Sequence, residues 1–80
     1  MPKVTELSDF GLPDRVMNTS KVSFVSFLPM EFETPSGKKL AAMVAVVCDG
    51  ADLKFEFFEG EEENAKRFFD YMKKCIYENE

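Results

Sequence analysis

The sequence predicts an α+β fold, an antiparallel β-meander of three or four strands packed against one C-terminal α-helix, and three observations carry that prediction. Between Lys21 and Glu59 apolar side chains recur with the two-residue period of a pleated strand. Two turn signals, Thr34-Pro35-Ser36-Gly37 and Asp49-Gly50, cut that stretch into hairpin-sized pieces. After Gly60 the apolar spacing changes to that of an amphipathic helix. The chain has 80 residues, room for a single small domain. Residues 1–20 are expected to form an irregular N-terminal segment, 21–59 the sheet and 61–78 the helix.

In the first segment Val4, Leu7 and Phe10 are spaced by three and followed by Gly11, which suits one short helical turn with a glycine cap. Leu12-Pro13 then turns the backbone away from helix, and Asn18-Thr19-Ser20 has loop composition. Lys21 to Leu28 is β-branched or aromatic with interspersed serines, a strand composition. Pro29 interrupts it, and because proline has no N–H for the ladder it marks a bulge or bend within one long strand. Beyond it Met30, Phe32 and Thr34 alternate with Glu31 and Glu33, as in a half-buried strand. The next strand, Leu40 to Cys48, ends at Asp49-Gly50, and Leu53, Phe55 and Phe57 then alternate with Lys54 and Glu56 in a third. In the helix Ala65, Phe68, Phe69, Met72, Cys75 and Ile76 share a stripe. Glu61, Glu62 and Glu63 favour its start and Lys73 and Lys74 its later part.

Fifteen acidic against ten basic residues give a net charge of -5, which disfavours phosphate backbones and anionic membrane surfaces as partners. No histidine is present, so imidazole chemistry is excluded. The glycines at 11, 37, 50 and 60 stand alone and form no phosphate-binding loop, and Asp49-Gly50-Ala51-Asp52 lacks the ligand spacing of a calcium loop. Cys48 and Cys75, both in apolar surroundings and outside any C-x-x-C pair, read as reduced, buried thiols. No catalytic residue, cofactor or metal is expected, and the chain is not expected to be an enzyme. The apolar run Leu40–Cys48 is far shorter than the ~20 residues a membrane helix needs. Glu6 and Asp9 interrupt the first ten residues where a secretory signal would be apolar, so a cytoplasmic location is expected.

The pointer to function is the strand Leu40–Cys48, which is apolar in both parities. Leu40, Ala42, Val44, Val46 and Cys48 lie on one side, and Ala41, Met43, Ala45 and Val47 on the other. One helix shelters only one face of a sheet. The first twenty residues folding back, a second copy of the chain, or a different protein could cover the other. The leading expectation is a small acidic, non-enzymatic interaction or regulatory protein. It would bind another protein, or itself, through this second face, with Phe27, Met43, Val47 and Phe58 at the centre and Tyr71 and Tyr77 at the helix edge. The alternative is an acidic decoy that mimics nucleic acid through Glu56, Glu59, Glu61, Glu62 and Glu63. The layout of sheet followed by helix resembles that of many small phage-encoded or accessory regulators. That resemblance implies an inhibitor or regulator that works by occupying a partner's surface.

Overall fold

The computed structural model describes residues 4–12 and 15–79. Strands β3 (Val22–Glu33), β4 (Lys39–Cys48) and β5 (Ala51–Phe58) form an antiparallel sheet in the order β3-β4-β5, and helix α1 (Glu62–Asn79) packs across it. The architecture is α+β, as the alternating and helical periodicities predict. Short strands β1 (Val4–Glu6) and β2 (Val16–Asn18) pair in a second, two-stranded antiparallel sheet.

The turns follow from residue chemistry. Gly37 N–H donates to the Thr34 carbonyl at 2.9 Å, closing the Pro35-Ser36 turn. Asp49 and Gly50 both take positive φ, 52° and 79°, as the two-residue hairpin between β4 and β5 requires. The proline reading also holds: Pro29 sits opposite Ala42 on an edge strand, and the register shifts between it and Phe32. A second shift, between Val22 and Phe24, reverses which parity of β3 faces the helix.

The core lies between the helix and one face of the sheet. Ala42, Val44 and Val46 of β4 and Phe55 and Phe57 of β5 meet Ala65, Phe68 and Met72 of α1. Phe68 is fully buried, and its ring lies 4.9 Å from Phe55, 5.4 Å from Phe10 and 5.9 Å from Phe57, centroid to centroid.

Two expectations are corrected in the opening twenty residues. The stretch read as irregular carries the β1–β2 pair and a 3-10 turn over Thr19–Lys21, while the expected short helical turn is present over Leu7–Phe10, capped by Gly11 in the left-handed conformation. Pro13 lies outside the described residues. The segment also joins the side of the sheet that α1 already covers, because Leu7, Phe10 and Met17 belong to the same core as Phe68. It is tied there by Tyr71 Oη and Thr5 Oγ1, 2.9 Å apart, and by Asn79 Nδ2 donating to the Thr19 carbonyl at 2.8 Å. Its described residues do not seal the reverse face.

Met30 and Phe32 also depart from the half-buried expectation, since both are exposed. Twelve strand residues extend to about 40 Å, close to the 42 Å long axis of the molecule, whereas an eighteen-residue helix reaches only about 27 Å. The far end of the β3–β4 hairpin therefore extends past the start of α1.

Candidate functional site

With the helix and the N-terminal segment on one side, no described element covers the other side of the sheet. Strand pairing lays it out as three rungs: Phe24–Val47–Asp52, Ser26–Ala45–Lys54 and Leu28–Met43–Glu56. Paired residues share a face, so β3 and β4 supply an apolar field and β5 a charged border. Phe24 and Leu28 are 54% and 47% exposed, and Met43, Ala45 and Val47 are half-buried by their neighbours within the sheet. The face therefore combines an apolar field on β3 and β4 with one charged border along β5.

Of the residues selected from sequence, the structure places Met43 and Val47 on this face. Phe58, two positions beyond Glu56, lies at its bulged end, opposite Leu40 and with Lys38 Nζ 5.7 Å from its ring centroid. Phe27 does not belong. It pairs with Val44 on the helix side and packs its ring 5.8 Å from Phe69. The reason is parity: the register shift at Ser23 and the pairing with β4 put Val25 and Phe27 inward and Phe24 and Leu28 outward. Tyr71 does not belong either, for its ring lies 5.5 Å from Phe10 and its hydroxyl meets Thr5. Tyr77 is 67% exposed on the helix, beside the β3 edge and near Phe24. The residues that sequence reasoning left out of the site are Phe24 and Leu28, which share the parity of Ser26.

Two of the five acidic residues, Glu61 and Glu62, are drawn into other work. Glu61 Oε1 accepts from the Phe58 N–H at 3.0 Å and Glu62 Oε1 accepts from the Gly60 N–H, so two of the carboxylates tie down the turn into α1. Glu56 stands on the open face, opposite Met43 and apart from that turn. Among the described residues, no group of three or more Cys, Asp or Glu side chains is arranged to hold a metal ion.

Neither thiol is presented as a nucleophile. Cys75 is buried. Cys48 donates to the Asn18 carbonyl at 3.4 Å, and burial, assisted by the charge of Asp49, pushes its thiol pKa above the ordinary value. The folded state thus holds this proton more tightly than the unfolded chain. The resulting stability is fully present below the unfolded thiol pKa of ~8.5 and is lost as pH rises through the higher folded value. Thermal melts between about pH 8 and pH 10 should show the wild type losing more stability than Cys48→Ser. Parallel losses would show that Cys48 does not contribute.

No helix among the described residues is long and apolar enough to cross a membrane. The chain matches no family model, no curated protein and no solved structure.

Proposed function

We propose that this chain is a non-enzymatic regulatory domain that acts by binding another protein through the open face of its three-stranded sheet. One observation carries the reading: every covering element in the described structure lies on the same side, leaving Phe24, Leu28, Met43 and Val47 as a contiguous apolar field. The net charge of -5 makes a nucleic-acid or anionic lipid partner unfavourable, which leaves protein as the partner class. A rigid sheet presents such a field at little cost in ordering entropy. The decoy reading draws less support, because Glu61 and Glu62 are occupied in capping the turn before α1.

The test uses Met43→Asp with Val47→Asp, both on the open face and outside the helix-side core. Burying the two native side chains at an interface is worth about 1.5–3 kcal/mol each, so the double variant should bind the partner at least about a hundredfold more weakly. Its far-UV circular dichroism should be unchanged. Binding by the wild type should persist in about 1 M salt, where charge attraction is screened within ~3 Å. Equal capture of the partner by wild type and variant, or loss of wild-type binding in salt, would refute the proposal.

A further inference from the structure

We propose, resting on the open-face reading above, that the partner docks there as one amphipathic helix laid along β3 and β4. A bulky apolar residue at its centre enters a recess over Ser26 and Ala45. Along its flank, charges in the order basic, acidic, basic follow Asp52, Lys54 and Glu56. The shape, the width and the charge of the face each point to this occupant.

The three rungs differ in size. Phe24–Val47 and Leu28–Met43 are pairs of large side chains, and the pair between them, Ser26–Ala45, is small. The outer rungs stand four residues apart, about 13 Å, so the middle of the face is a recess that a single large side chain fills. The apolar columns on β3 and β4 lie about 5 Å apart, and a helix about 10 Å across covers both without reaching over the third strand. On the opposite face α1 has the same placement, lying mainly against β3 and β4. A partner helix read at i, i+4 and i+8 presents one residue to each rung, which is the way apolar surfaces receive helices in general.

The third column, on β5, is Asp52, Lys54 and Glu56, all exposed. Its charges alternate at two-residue steps of about 7 Å, close to the rise of about 6 Å over four helical residues. A helix lying beside it is matched by basic, acidic and basic side chains at successive four-residue steps. The same column disfavours a second copy of this chain in aligned sheet packing. A two-fold axis across the strands at Ala45 sets Lys54 over Lys54 and Asp52 over Glu56, like charge on like. An axis along β4 sets the charges of β5 over Phe24 and Leu28.

The probes are synthetic helix-forming peptides of about 18 residues, each with a leucine at the centre of its apolar row. Their flanking charges run Lys-Glu-Lys, Lys-Lys-Glu or Glu-Lys-Lys, so all three have the same net charge. Calorimetric titration at low salt should show the first binding about tenfold more tightly than the other two. Lys54→Glu combined with Glu56→Lys, which keeps the protein's net charge, should transfer the preference to one of the other two, according to the direction of the helix. Ala45→Phe should fill the recess and weaken the leucine-centred peptide about tenfold. An alanine-centred peptide should then bind that variant more tightly than the leucine-centred one. Binding that ignores charge order, an Ala45→Phe variant that does not discriminate against leucine, or no binding by any peptide would overturn the proposal. A dimer in sedimentation that Met43→Asp with Val47→Asp abolishes would overturn it in favour of a second copy. If charge order has no effect while that double variant weakens every peptide equally, the helix assignment fails and the open-face reading survives. If the double variant leaves peptide binding unchanged, both fail.

Discussion

Phe68→Ala should leave the protein largely unfolded at room temperature. Phe68 is fully buried where three parts of the chain meet, with the rings of Phe10, Phe55 and Phe57 arranged around it. Removing a buried phenylalanine costs about 3–5 kcal/mol in lost transfer energy and in the cavity left behind. A core of this size supplies about 3–5 kcal/mol net, so the substitution consumes most of the margin. Urea titration followed by circular dichroism should show no folded baseline for the variant. Phe69→Ala should retain a cooperative transition, since Phe69 is only half-buried and, among the described residues, its ring meets only that of Phe27. A Phe68→Ala midpoint close to that of the wild type would mean that the four rings do not form the centre of the core.

Leu7→Ala should produce the next largest loss, about 2–5 kcal/mol. Leu7 is 1% exposed although it stands in a four-residue 3-10 turn near the beginning of the chain. The short β1–β2 pair cannot hold that turn by itself, since an isolated two-stranded sheet is marginal in water. Its position depends on packing against α1 and on the contact between Thr5 and Tyr71. The loss should appear as a lower urea midpoint and as earlier proteolytic cleavage within residues 4–12. An unmoved midpoint would show that this segment adheres to the core without supporting it.

The meander was legible because its punctuation is chemical: Pro35, Gly37, Asp49, Gly50 and Gly60 each stand where a turn needs a fixed or positive φ. The helix was legible because Ala65, Phe68, Met72 and Cys75 recur at helical spacing, and all four are buried. The facing of β3 was not, because Phe24 and Leu28 in one parity and Val25 and Phe27 in the other are equally apolar. Pairing with β4 decided between them, and that choice removed Phe27 from the predicted surface. The β1–β2 pair escaped notice because three-residue strands are too short to show a period, and Val4 and Val16 point outward. Tyr71 turned inward because its partner, Thr5, lies 66 residues away, a contact that no local pattern announces.

The placement of α1 after the sheet has a consequence for biosynthesis. A ribosome releases the three strands before it releases the helix, so the growing polypeptide passes through a stage in which neither flank of the pleated layer has a lid. Exposed apolar strands of this kind are prone to association while synthesis continues. The eighteen-residue helix that emerges after them, by settling over Val44 and Phe57, ends that exposure on one flank only. A chaperone that binds extended apolar segments would thus have a natural client interval that closes when Asn79 reaches the carbonyls of Thr19 and Val22.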